Sequence, residues 1–87
     1  MEEKKKALAL RYEGKDKAPV VVAKGTGELA QRIIDIAKRY GVPIVEDKDL
    51  ISALMRVEVY EEIPPELYRA VAKVLLFIRS IKTSGKV

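Results

Sequence analysis

The segment VVVAKGTGELA, residues 20–30, carries the spacing that most invites chemistry: a β-branched run, then Gly25-x-Gly27-x-x-Ala30, then helix-forming residues. That order is a dinucleotide-binding turn, in which glycines let the backbone approach a pyrophosphate and a helix N-terminus attracts it. Glu46 stands about twenty residues after Gly25, where such a site places its ribose-binding acid. The surroundings argue against a nucleotide. Glu28 puts a carboxylate in the first helical turn, where it repels phosphate and complements an empty helix start. A dinucleotide fold also needs a sizeable parallel sheet, and 87 residues hold one strand–helix–strand crossover. No Gly-Lys-Ser/Thr follows, and Lys24 precedes the glycines. The expectation is a structural strand-to-helix turn and no cofactor.

Other reactive groupings are sparse. The chain has no Cys and no His, which removes disulfides, thiolate metal sites and the usual acid/base residue at neutral pH. Ser52, Ser80 and Ser84 therefore have no imidazole to activate them. Glu46, Asp47 and Asp49 resemble paired carboxylates, but a solvated helix start accounts for them. Glu61, Glu62 and Glu66 around the prolines read the same way. The expectation is a protein without catalytic or metal-binding residues.

The elements that would position any site follow from the apolar pattern. Residues 7–12 alternate and residues 19–23 are rich in β-branched side chains, with a polar, Gly-containing loop between them, which predicts an antiparallel hairpin. Leu29, Ile33, Ile36, Ala37 and Tyr40 recur at helical spacing, with Ala30 and Ile34 widening the stripe. Gly41 and Pro43 end that helix. Residues 42–45 read as a third strand, so the hairpin and one right-handed βαβ crossover predict a small mixed sheet of about three strands. Asp47 or Asp49 is expected to cap a short helix through Leu50, Leu54 and Met55. Residues 57–63 connect it to the last helix, which Pro64 and Pro65 start and which carries Leu67, Val71, Val74, Leu75, Ile78 and Ile81 on one face. Ala72, Leu76 and Phe77 exceed that face, so this helix either packs on two sides or shows an apolar patch. The predicted fold class is α/β, with three or four helices around the sheet. The predicted organisation is a flexible basic N-terminus at 1–6, a single domain at 7–82 and a flexible tail at 83–87.

Seventeen Lys and Arg against thirteen acids give a net charge of +4, and Lys4, Lys5 and Lys6 form the one basic run. That basicity is mild, and four Tyr and one Phe supply few stacking platforms. An RNA- or DNA-binding role is the alternative reading; it requires Arg32, Lys38, Arg39 and Lys73 to share a face. The Lys- and Glu-rich, Asn-free composition is one that hyperthermophile proteins often show. No run of apolar residues is long enough to span a bilayer and no leader pattern is present, so a cytoplasmic protein without membrane insertion is expected.

Taken together, ALALRYEG, APVVVAKG, VPIVEDKDLISALMR and IPPELYRAVAKVL are similar to the cytoplasmic C-terminal domain of the type III export switch proteins, the flagellar FlhB and injectisome YscU family. The likeness runs from about Ala7 to Lys82. It implies a protein-interaction module of a flagellar or type III export apparatus, at the cytoplasmic face of the membrane, whose partners are export components or substrates. In that family the glycine turn is only a strand end and helix start. Members also carry Asn-Pro-Thr-His before the first strand kept here, where the Asn side chain attacks its own carbonyl and cuts the backbone. The matching positions are Glu2, Glu3, Lys4 and Lys5, and the chain has no Asn, which implies no self-cleavage by that route. The strand preceding that motif has no counterpart, so the resemblance implies an open sheet edge for strand pairing with a full-length relative or in a homodimer. An apolar dimple implicated in receiving export substrates corresponds to Ala18, Pro19, Ala72 and Leu75. Ordinary core or loop positions would hold the same four residue types.

Overall fold

A computed structural model describes residues 4–84, with side chains described as far as Ile78. Met1 to Glu3 and residues 85–87, which include the ends of the expected head and tail, lie outside the described residues. In chain order the elements are strand β1 (Lys6–Arg11), strand β2 (Val20–Thr26), helix α1 (Glu28–Arg39), helix α2 (Lys48–Leu54) and helix α3 (Tyr68–Ser84). A single 3-10 turn, Pro65–Leu67, leads into α3.

The expected hairpin forms. β1 and β2 pair antiparallel from Lys6 opposite Thr26 to Arg11 opposite Val20, with a register shift between Ala9 and Leu10. Alternation sends Leu8 and Leu10 to the face that packs on the core cluster. That cluster joins Ala18, Val21, Leu54, Val57, Ile63 and Val71, so the hairpin, α2, the connector and α3 share one interior. α1 lies against both strands, and its Ala30 is fully buried.

The α/β class and the hairpin stand, but the sheet has two strands where about three were expected, and it is antiparallel rather than mixed. Residues 42–45 do not join it. The edge of β2 is occupied instead by the connector: Tyr60 N–H donates to Val21 O at 2.6 Å, Val21 N–H to Glu61 O at 3.0 Å and Ile63 N–H to Pro19 O at 2.9 Å. An isolated antiparallel bridge joins Val20 and Glu62. The connector already takes the β2 edge at Pro19 and Val21, and Pro43 removes one amide that residues 42–45 would need for a ladder.

α1 starts and stops as its sequence dictates. Glu28 lies in the first turn and Lys38 and Arg39 in the last, each complementing the helix dipole. At the end Gly41 has φ of 68°. Its N–H donates to Lys38 O at 3.3 Å, and Val42 N–H donates to Ala37 O at 2.8 Å, the Schellman pair that closes a helix. The buried stripe differs from expectation. Ala30 is fully buried while Leu29, Ile36 and Tyr40 are exposed, because two strands give the helix a support too narrow for its whole apolar face. Asp47 caps α2, its carboxylate accepting from Leu50 N–H at 3.0 Å. α3 buries Val71 completely and leaves Leu76 and Phe77 exposed, so its surplus of apolar residues is a surface patch.

Candidate docking site

The glycine turn has a structural reason at each of its marked positions, packing at Gly25 and Ala30 and backbone conformation at Gly27. A Cβ on Gly25 would overlap the Leu29 side chain. Gly27 has φ of 61°, which disfavours other residues, and its N–H donates to Lys5 O at 2.8 Å. Ala30 is fully buried on the side of α1 that meets the hairpin. Lys24 turns away from the glycines, its ammonium donating to Met55 O at 3.0 Å and Val57 O at 2.9 Å. It thus ties β2 to carbonyls left free at the end of α2, a role that the sequence reading missed.

The remaining reactive groups do not converge. Glu46 and Asp49 are exposed and Asp47 is committed to its cap. Ser52 is exposed, whereas the side chains of Ser80 and Ser84 fall outside the described residues. Among the described residues no group of three acids is placed to hold a metal ion.

Ala18, Pro19, Ala72 and Leu75 do come together. They line one shallow depression of about 180 Å³, joined by Tyr12, Lys17 and Tyr68. Ala18 and Pro19 are buried and form its floor; Ala72 is exposed, and Leu75 is half-buried against the core. The hairpin loop delivers the floor residues and is itself clasped. Arg11 Nε and Nη2 donate to the two carboxylate oxygens of Asp16, each at 3.2 Å. Glu13 N–H donates to the same carboxylate at 2.9 Å. The Glu13 amide, then the Arg11 guanidinium, hold Asp16 below the ordinary aspartate pKa. Hydrogen bonding to Asp16 in turn raises Arg11.

Such a depression has an apolar floor, two tyrosine rings at its rim and one ammonium. That chemistry suits an apolar side chain of a docked peptide, with hydroxyls and Lys17 free for polar groups beside it. Tyr12, Lys17 and Tyr68 were not singled out in the sequence, since nothing in their spacing links them to α3.

A second depression, of about 350 Å³, is lined by Val45, Asp47, Ala70, Lys73, Val74 and Phe77. Its α3 residues recur at helical spacing on a flank separate from Val71. Of the basic residues considered for nucleic acid, Lys73 lies here beside Asp47, while Arg32, Lys38 and Arg39 are exposed on α1.

The sequence model of the FlhB HrpN YscU SpaS family matches residues 4–78. The chain belongs to that family. Flagellar biosynthetic protein FlhB of Aquifex aeolicus (strain VF5) is 50% identical over 74 residues, which are 83% of this chain and 21% of that protein. YlqH of Bacillus subtilis (strain 168) is 46% identical over 83 residues, covering 94% of this chain and 89% of YlqH. The crystal structure of the cytoplasmic domain of FlhB from Shewanella putrefaciens matches with a TM-score of 0.89 at 30% identity, over 93% of this chain and 68% of that one. The chain thus spans about a fifth of the length of the FlhB it matches. In this family the strand–glycine–helix turn belongs to a domain of a flagellar or type III export protein. Among the described residues no helix is long and apolar enough to cross a membrane.

Proposed function

We propose that the chain is a non-catalytic docking module of a flagellar-type export apparatus, receiving export components or substrates in the depression lined by Ala18, Pro19, Ala72 and Leu75. The observation that carries this reading is the convergence of those residues, from the hairpin loop and from α3, on one surface. Membership of the export family supports the partner class. The mechanism is binding: an apolar side chain of the partner seats on Ala18 and Pro19, and the Tyr12 and Tyr68 rings flank it. The cleavage-linked change of substrate specificity implied by the resemblance cannot run through an Asn that the chain lacks. The docking takes place at the cytoplasmic face of the export apparatus.

The test is binding of the purified protein to cytoplasmic domains of export components and to early export substrates, repeated with Ala72→Asp. Ala72 is exposed, so this variant is expected to fold as the parent does and to lose binding. Leu75→Asp is expected to lose binding too, but it also touches the core and needs a folding control. Binding that Ala72→Asp leaves intact would remove the depression from the proposal. Absence of binding to every export protein would remove the function.

A further inference from the structure

The depression around Ala18 and Pro19 is walled by two elements. The hairpin loop adds Tyr12 and Lys17 to that floor, and one face of α3 supplies Tyr68, Ala72 and Leu75, four and then three residues apart. At about 180 Å³ the depression is smaller than the roughly 300–1,000 Å³ of a small-molecule site. It therefore holds a single side chain. Lys17 is the one acidic or basic residue in its wall.

The loop leaves the Lys17 ammonium without a carboxylate of its own. Asp16 is taken by the Arg11 guanidinium at 3.2 Å and by Glu13 N–H at 2.9 Å. The Glu13 carboxylate lies 3.8 Å from Lys15 Nζ and 3.9 Å from Arg11 Nε. Among the described residues Lys17 stands in no ion pair. α3 offers no compensation, since it carries Arg69 and Lys73 beside Tyr68 and Ala72 and contains no Asp or Glu. Glu62 of the connector and Glu66 of the 3-10 turn do not line the depression. The second depression differs, because its Lys73 has Asp47 in the same wall. The loop also holds Lys17 in place. Asp16 N–H donates to Glu13 O at 2.9 Å while Glu13 N–H donates back to the Asp16 carboxylate, so the residue before Lys17 is tied through main chain and side chain alike.

We infer that Lys17 selects the occupant of the depression, a segment of another protein in which an apolar anchor is followed two residues on by a glutamate or aspartate. The inference rests on the docking role proposed above and specifies the partner's chemistry. In an extended segment alternate side chains point the same way, about 6–7 Å apart. An anchor seated on Ala18 and Pro19 therefore leaves the next side chain of that face at the rim, within reach of a lysine whose backbone adjoins the floor. The ammonium is a point charge on a flexible stem, so it meets a carboxylate on either side-chain length. A lysine or arginine at the same position meets a like charge and is rejected. Affinity comes from the apolar anchor, and choice among apolar segments comes from Lys17.

The test titrates the full chain with the acetylated and amidated peptide Ser-Gly-Leu-Thr-Glu-Ser-Gly and its counterparts with Gln or Lys in place of Glu, read by backbone amide chemical shifts. Shifts are expected at Lys17, Ala18 and Ala72, with the glutamate peptide bound about two- to fivefold more tightly than the glutamine peptide at low salt. The lysine peptide is expected to bind weakest, and the preference is expected to vanish at about 1 M salt. Lys17 is exposed, so its variants keep the fold. Lys17→Met is expected to equalise the glutamate and glutamine peptides, and Lys17→Glu to place the lysine peptide first. Ala72→Asp is expected to abolish binding of all three. Equal affinity for the three peptides, a glutamate preference that survives Lys17→Met, or no shift with any peptide at millimolar concentration overturns the inference. Equal affinity leaves the apolar docking role standing. Absence of binding to every export protein, with the glutamate preference intact, removes that role and leaves the selectivity of Lys17.

Discussion

Backbone conformation at two residues makes opposite demands on the side chains present. Gly27 has φ of 61° and ψ of −126°, so Gly27→Ala is expected to cost about 1–3 kcal/mol, measured by urea unfolding. Tyr60 has φ of 72° with a side chain that is 76% exposed. Its strain is not offset by burial, and its N–H bond to Val21 O survives truncation. Tyr60→Gly is therefore expected to stabilise the protein by about 1 kcal/mol in the same assay. The Arg11–Asp16 clasp adds a pH dependence. Asp16 has a folded pKa below its unfolded value of about 3.9. Its contribution is fully present above that value and is lost as pH falls through the lower, folded one. The stability difference between the parent and Asp16→Asn is expected to be constant from neutral pH to about 5 and to shrink below about 4. A difference that instead shrank between neutral pH and 5 would reject this assignment.

At the scale of elements, the helix period was legible but its orientation was not. Spacing centres α1 on Leu29, Ile33, Ile36, Ala37 and Tyr40 with Ala30 and Ile34 at the margin, yet the helix seats on Ala30, with Ile33, Ile34 and Ala37 half-buried and the other three exposed. Ala30→Leu is accordingly expected to cost about 1–3 kcal/mol through overpacking. Ile36→Lys is expected to change stability by no more than about 0.5 kcal/mol. Chemical denaturation of the two variants separates this arrangement from one centred on Ile36. The hairpin, the Asp47 cap and the Gly41 stop could all be read because each depends on neighbours within a few residues. Whether residues 42–45 become a strand depends on finding an edge, which is a long-range condition. Local sequence carries the extended preference and says nothing of the partner.

For the molecule as a whole, coherence depends on ties between the hairpin and the segment joining α2 to α3. Lys24 is one such tie, and Lys24→Met is expected to cost about 1–3 kcal/mol, because the Met55 and Val57 carbonyls lose a charged donor. Lys24→Arg, with a different fork and reach, is not expected to restore it fully. Equilibrium unfolding with unchanged denaturant sensitivity would place the loss in the native contacts. Residue types and spacing did not place the start and end of α3, since a 3-10 turn follows the prolines and the helix runs to Ser84; they were enough for the family, the hairpin, the two ends of α1, the Asp47 cap and the turn at Gly25 and Gly27. These rest on residue types and spacings that act locally, or on a set of motifs in a fixed order. The fold in three dimensions was needed to bring Tyr12, Lys17 and Tyr68 to the four expected residues of the depression, to pair the start of β2 with the connector, and to give a sheet of two strands among the described residues. Each of those outcomes depends on which surfaces meet across the chain. Burial and backbone pairing are properties of that meeting, and apolar spacing constrains them without choosing among partners.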